Sequence, residues 1–124
     1  MENFGPLVLY HGGCRDGWCA AWVTQKKWSG AELIAVNYGT EPPWDKLTNR
    51  DVIIVDFSWP RKVLEEIKAS TKSLLVLDHH ETAAKDLEGL PYCVFDMTRS
   101  GAGIACDTFG IKDTFTQIIV AYVQ

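Results

Sequence analysis

Histidine and aspartate residues stand after several short apolar runs along the chain, and all three histidines belong to this set. Imidazole and carboxylate ligands together suit manganese, zinc or iron better than calcium. Several carboxylates in one place repel each other unless a cation neutralises them. A pair of such cations can activate water and hold the oxygens of a phosphoryl group, so the chemistry predicted is phosphate-ester hydrolysis. The residues concerned are His11, Asp16, Asp56, Asp78, His79, His80 and Asp96.

A purely structural interpretation exists for each of these residues. An aspartate after a strand often begins a turn or caps a helix, and a histidine beside a strand is often only a hydrogen-bonded structural residue. That interpretation would have to hold at nearly every strand end at once, and also for the triplet Asp78-His79-His80. The metal-site interpretation is therefore favoured.

The apolar runs predict strands, and helical segments are predicted between them. A helix is expected over Trp18–Trp28, and others begin at Pro60, Thr82 and Ser100, while 37–49 is expected to be a loop. Continuous apolar strands that alternate with helices are typical of a parallel sheet covered on both faces. The fold class predicted is α/β, an open, mainly parallel five-stranded sheet with helices on both faces. Its strands are expected at Leu7–Tyr10, Leu33–Val36, Val52–Val55, Leu74–Leu77 and Tyr92–Phe95.

The predicted sheet brings the strand-end residues together. In an open parallel sheet, ligands bind in the crevice outside the carboxyl ends of the strands. The last segment, 115–123, is largely apolar and fits either a helix or a strand. Such a segment normally packs against another surface, which hints at a hidden interface.

Size and composition limit the class of protein. A chain of 124 residues suits one domain, and 47% hydrophobic with 23% charged residues is typical of a soluble globular protein. The net charge of −4 argues against coating long duplex nucleic acid. The start, Met1-Glu2-Asn3-Phe4, has no basic flank or signal core, and no apolar run is long enough for a membrane span. A cytoplasmic location is the expectation.

The four cysteines do not form paired CxxC motifs, so neither a structural zinc site nor a disulfide framework is predicted. Cys19, Cys93 and Cys106 stand among apolar residues and are interpreted as buried thiols. Cys14 lies within the first group of candidate site residues.

In four ordered motifs the chain resembles the DHH phosphoesterase superfamily, which includes RecJ-type exonucleases, short-oligoribonucleotide hydrolases, cyclic-dinucleotide phosphodiesterases and manganese-dependent pyrophosphatases. The motifs extend from Leu7 to about Phe109. They are His11-Gly12-Gly13-Cys14-Arg15-Asp16-Gly17 with Ala20-Ala21, Asp56-Phe57-Ser58, Asp78-His79-His80, and Asp96 with Ser100-Gly101-Ala102.

The resemblance implies two divalent metal ions, with Mn²⁺ the first expectation and Mg²⁺, Zn²⁺ or Co²⁺ as alternatives. His11 and Asp56 would hold one metal, and Asp56 would bridge to the second. Asp16, His79 and Asp96 would complete the second site. Many family members have an aspartate where this chain has Cys14, so Cys14 is a possible further ligand.

The resemblance also implies catalytic roles for Asp56, His80 and Asp78. His80 would contact the substrate phosphate or the leaving group, and Asp78 would orient the two histidines, as ligating imidazoles usually require. For Arg99 a solvated surface position is an equally good interpretation. The residues expected to contact phosphate are His80, Ser58, Arg99, Ser100 and Gly101.

Family enzymes carry a C-terminal substrate-binding domain, and the sequence contains no counterpart. The expectation is one metal-binding domain over 1–124, with that domain absent. The chain would then be a truncated piece, a naturally short version, or one that completes its site with a partner or as a homodimer. Metal binding is therefore a safer prediction than rapid turnover.

Three functions are compatible with the sequence. The first is a phosphodiesterase for short oligonucleotides or cyclic dinucleotides, and the second is a phosphomonoesterase, pyrophosphatase or exopolyphosphatase. The third is a catalytically weak module that binds nucleotide or metal. Three tryptophans would stack on a base if they were exposed, or else fill the core: Trp18, Trp44 and Trp59.

Overall fold

Five short strands form one open, all-parallel sheet in the order β2-β1-β3-β4-β5 in the computed structural model, which describes residues 5–124. The predicted α/β class and parallel sheet are confirmed. The expectation drawn from Met1-Glu2-Asn3-Phe4 lies outside the described residues. The strands are β1 (Leu7–His11), β2 (Glu32–Val36), β3 (Asp51–Val55), β4 (Ser73–Asp78) and β5 (Cys93–Phe95).

Both faces of the sheet are buried. Alternate residues of the central strands point to opposite sides, and each side has its own apolar cluster. In β1, Val8 and Tyr10 belong to one apolar cluster, and Leu7 and Leu9 belong to the other. This two-sided burial explains why the strands are continuously apolar and do not alternate with polar residues.

Helices cover both faces. The first cluster contains side chains of α1, α5 and α6, and the second contains side chains of α2 and α3. The predicted helix–strand alternation is confirmed, except that α2 lies inside the predicted loop. The helices are α1 (Arg15–Lys27), α2 (Trp44–Leu47), α3 (Arg61–Ser70), α4 (Glu81–Asp86), α5 (Gly101–Phe109) and α6 (Thr114–Val123).

Helix α1 begins at Arg15, three residues before the predicted start at Trp18. The Cys14 side chain accepts a hydrogen bond from the Gly17 N–H and thereby caps the helix. Asp16 lies in the first turn, where a negative charge is favourable. The extra turn therefore depends on capping and charge, which an apolar periodicity does not reveal.

The ambiguous C-terminal segment is the helix α6. Val120 and Thr116 are buried, whereas Phe115, Ile118 and Tyr122 are exposed. Within residues 5–124, no helix is long and apolar enough to cross a bilayer.

The strand order places a switch point between β1 and β3. From β1 the chain continues to β2 on one side, and β3, β4 and β5 follow on the other. In sheets of this kind the crevice at the switch point is where ligands bind. His11 ends β1 and Asp56 directly follows β3, so both residues flank that crevice.

Candidate metal centre

Asp56 is the central residue of the site. Its backbone is in the left-handed region with φ 58, a conformation that aspartate tolerates better than most residues. Its side chain is almost fully buried, at 1% exposure. Oδ2 lies 3.3 Å from the Cys14 Sγ, and Oδ1 lies 2.7 Å from the His79 Nε2. The two oxygens of the Asp56 carboxylate therefore point to two different groups of side chains.

The first group consists of His11, Cys14 and Asp56. The end of β1 positions His11, and the start of α1 positions Cys14. The His11 Nδ1 lies 3.6 Å from the Cys14 Sγ and 3.9 Å from the Asp56 Oδ2. Three potential ligand atoms from three separate elements thus surround one small space.

His79 lies on the other side of Asp56, and Asp16 lies beside it. The His79 Nε2 is 2.7 Å from the Asp56 Oδ1 and 3.2 Å from the Asp16 Oδ2. Asp16 also accepts hydrogen bonds from the backbone N–H groups of Gly101 and Ala102, at 2.8 and 2.9 Å. The start of α5, which was predicted to contact phosphate, is therefore used here to hold Asp16.

Asp78 and His80 form an adjoining pair. The Asp78 Oδ1 lies 2.6 Å from the His80 Nδ1 and accepts the His79 backbone N–H at 2.8 Å. Its Oδ2 accepts a hydrogen bond from the Ser58 hydroxyl at 3.3 Å. Asp78 is 1% exposed, whereas the His80 side chain is 41% exposed. A buried carboxylate thus orients a histidine that faces solvent.

These side chains form two overlapping groups that could hold metal ions. One contains His11, Cys14 and Asp56, and the other contains Asp56 with the Asp78-His79-His80 triplet. Asp16 belongs to neither group, but its Oδ2 lies 3.2 Å from the His79 Nε2, beside the second group. Asp and His side chains suited to cation binding are therefore present at the switch point.

The electrostatics of the site favour cation binding. Burial, together with the nearby Asp16 charge, raises the pKa of the Asp56 carboxyl. Burial also raises the pKa of the Cys14 thiol, although the Gly17 N–H acts in the opposite direction. Within residues 5–124, the ion-pair partners of Asp16 and Asp56 are histidines and not lysines or arginines. A bound cation would relieve the cost of burying these carboxylates.

Asp96 and Arg99 belong to neither group. Asp96 follows β5 and accepts hydrogen bonds from the backbone N–H and the hydroxyl of Thr98, which lower its carboxyl pKa. The Arg99 Nη1 lies 3.4 Å from the Asp107 Oδ2, and its buried Nε has no hydrogen-bond partner among residues 5–124. Ser100 caps α5. The structure places these residues next to the site and gives them contacts of their own.

Sequence analysis did not identify Tyr38. The residue is 63% exposed, and the centroid of its ring lies 5.3 Å from that of His11 and 4.8 Å from that of Phe57. Tyr38 lines a groove of about 560 Å³ together with Ser58, Trp59 and His80. Its position in the predicted loop gave no signal, because only the folded sheet brings residue 38 beside residue 11.

The three tryptophans considered for base stacking differ in exposure. Trp59 is 7% exposed and donates a hydrogen bond from Nε1 to the Thr40 carbonyl. Trp44 packs partly buried against the second apolar cluster. Trp18 is 61% exposed and lies edge-on to Tyr10.

Comparisons with known proteins show a shared fold but name no activity. No protein-family model matches this sequence. An uncharacterized protein of Acanthamoeba polyphaga mimivirus is 34% identical in an alignment of length 121, and the match covers 83% of this chain and 28% of that protein. A crystal structure of an uncharacterized protein from Helicobacter pylori G27 matches 95% of this chain with a TM-score of 0.80 and 15% identity. The chain spans 42% of that protein, and the likeness shows a shared fold.

Proposed function

We propose that this chain is the metal-binding domain of a DHH-type phosphoesterase that hydrolyses phosphodiester bonds in small nucleotides. The observation that carries the proposal is the position of Asp56 between two donor groups. One of its oxygens approaches Cys14, and the other approaches His79. A carboxylate in this position is suited to bridging two divalent cations.

The donor sets fit such a pair of ions. His11 and Asp56, with Cys14 beside them, would hold one cation, and His79, Asp16 and Asp56 would hold the other. Asp96 is a further candidate for the second site, for which Mn²⁺ is the expected ion. Bound cations would supply an activated water and neutralise charge on the phosphoryl oxygens.

The protein's own residues supply positioning and proton transfer. The Asp78 carboxylate fixes the His80 ring through Nδ1. His80 is therefore oriented to contact a phosphate oxygen or to give a proton to the leaving group. Arg99 lies at the start of α5 and would add a cationic side chain that favours an anionic substrate. Asp16 already accepts hydrogen bonds from the Gly101 and Ala102 N–H groups of that helix end.

The groove beside His80 supports a nucleotide substrate. Tyr38 offers an exposed ring on its wall, and aromatic rings stack on bases of any sequence. A phosphate at the metal centre and a base on Tyr38 would occupy neighbouring sites. Pyrophosphate has no group that would use this ring.

The proposal is tested with a substrate panel and a His80→Asn variant. Protein loaded with Mn²⁺, Zn²⁺ or both is assayed against a dinucleotide, a cyclic dinucleotide, a mononucleotide and pyrophosphate. We expect phosphodiester cleavage, and His80→Asn should lower kcat by about 10²-fold or more, the usual contribution of a proton-transferring side chain. Metal content by elemental analysis should be unchanged.

The panel also distinguishes the other functions. Hydrolysis of pyrophosphate or a mononucleotide alone would assign a phosphomonoesterase or pyrophosphatase and refute the phosphodiesterase. Nucleotide binding without turnover in saturating metal would assign a binding module. Equal activity of wild type and His80→Asn would remove His80 from the mechanism.

Replacing Tyr38 with alanine should raise KM for a dinucleotide by roughly 10-fold, because base stacking contributes about 1–3 kcal/mol. The value of kcat for a substrate without a base should change little. Steady-state kinetics on both substrates measures the difference. Trp18→Ala is the matched control, since Trp18 is similarly exposed but does not line the groove. An equal KM in wild type and Tyr38→Ala would place the base elsewhere.

A further inference from the structure

The group formed by His11, Cys14 and Asp56 has the dimensions of a tetrahedral zinc site. Zinc bonds of about 2.3 Å to sulfur and about 2.0 Å to nitrogen or oxygen place tetrahedral ligands about 3.3–3.5 Å apart. In the structure the Cys14 Sγ lies 3.6 Å from the His11 Nδ1 and 3.3 Å from the Asp56 Oδ2. The His11 Nδ1 and Asp56 Oδ2 are 3.9 Å apart. The two distances to sulfur already fit, and bringing the His11 Nδ1 and Asp56 Oδ2 about 0.6 Å closer together would complete the geometry.

Helix capping does not explain a cysteine at position 14. The thiol accepts the Gly17 N–H at a distance of 3.4 Å. Serine, aspartate and asparagine are the preferred residues for this role, and sulfur is a weak acceptor. The same thiol also lies between the His11 imidazole and the Asp56 carboxylate, which both ligate metals readily. Metal ligation is the role that a thiol performs better than a hydroxyl.

We propose that Cys14 is a thiolate ligand and that the His11–Cys14–Asp56 site selects Zn²⁺ over Mn²⁺ and Mg²⁺. The inference rests on the proposed function in that it assigns the metal of one of its two sites. Thiolate ligands favour zinc, whereas carboxylates and water suit manganese and magnesium. Three protein ligands leave one position for water, which is the arrangement of catalytic zinc sites.

Cobalt binding tests the proposal without an activity assay. Co²⁺ is titrated into reduced, metal-free protein, and absorption is followed through the visible and near-ultraviolet ranges. We expect a thiolate-to-cobalt charge-transfer band together with the visible bands of tetrahedral cobalt. Zn²⁺ should displace the cobalt and remove both signals, while excess Mn²⁺ should not.

Cys14→Ser and Cys14→Asp identify the ligand, and both should fold because serine and aspartate are good helix caps. Cys14→Ser should lose the charge-transfer band and more than about 100-fold in zinc affinity, exceeding the cost of removing an outer-shell partner. Cys14→Asp should bind Mn²⁺ more tightly relative to Zn²⁺ than wild type does. Cys93→Ser is the control, since Cys93 is a thiol on β5 outside both donor groups.

The outcomes separate this inference from the proposed function. Cobalt bound without a charge-transfer band, or a band retained in Cys14→Ser, would overturn the thiolate ligand and leave the two-cation site standing. No binding of Co²⁺, Zn²⁺ or Mn²⁺ by the wild type would overturn both proposals.

Discussion

Asp56→Asn should abolish cation binding and lower phosphodiester hydrolysis by about 10³-fold, the effect of removing one strong charge-stabilising group. Cation at 100 times its Kd should stabilise the wild type by about 2.7 kcal/mol and leave the variant unchanged. Asparagine also tolerates the left-handed backbone at this position, and it keeps an oxygen as a hydrogen-bond partner for His79. Thermal unfolding with and without Mn²⁺ or Zn²⁺, and the turnover rate, measure both effects.

The metal-free protein provides the control for Asp56→Asn. Because burial and Asp16 raise the pKa of Asp56 above its ordinary 3.8, the folded state binds this proton more tightly than the unfolded state. The wild type should therefore lose stability relative to the variant as pH rises through the raised pKa, and the two should be similar below pH 3.8. A variant that still gained stability from cation would show that Asp56 is not a ligand.

Gly17→Ala should destabilise the protein by about 3 kcal/mol or more, at the upper end of the cost of overpacking. A Cβ at position 17 would overlap the backbone carbonyl oxygen of His11. Neither group can rotate away, so α1 would have to move off β1 and take Cys14 and Asp16 with it. Urea denaturation should show the loss of stability, and zinc titration should show weakened cation binding.

Gly103→Ala is the matched control for Gly17→Ala. A Cβ at position 103 would meet the ends of the Arg99 and Gln124 side chains, which can rotate. The alanine should cost much less stability than Gly17→Ala, because its helix propensity offsets part of the loss of the Gln124 contacts with Ser100. Equal stability of Gly17→Ala and Gly103→Ala would mean that the close approach of α1 to β1 is not required.

The sheet and the position of the candidate site could be predicted because both depend on local pattern. Apolar runs specify buried strands. The polar residues at the ends of these runs, His11, Asp56 and Asp78, mark the carboxyl edge of the sheet. Their convergence follows once the strands are parallel. The helix–strand alternation was sufficient to place four of the six helices in the described residues, since α2 lay in a predicted loop and the segment of α6 was left open between helix and strand.

Other features depend on contacts between distant parts of the chain. Asp16 in α1 accepts a hydrogen bond from the N–H of Gly101 in α5, and no motif spacing reveals this contact. Tyr38 becomes part of the groove only because β2 lies next to β1. The carboxylate of Asp96, which follows a strand as predicted, accepts hydrogen bonds from Thr98, two residues further along the chain, and its role as a ligand stays a prediction.

The contact of Asp16 with the start of α5 has a consequence for dynamics. Its Oδ2 lies 2.8 Å from the Gly101 nitrogen and 3.2 Å from the His79 Nε2, so one atom touches both a helix end and the cation site. We expect that a cation bound by Asp16, as proposed, would also hold the first turn of α5 more firmly. The rates of amide hydrogen exchange at Gly101 and Ala102 would therefore report whether the neighbouring site holds a cation.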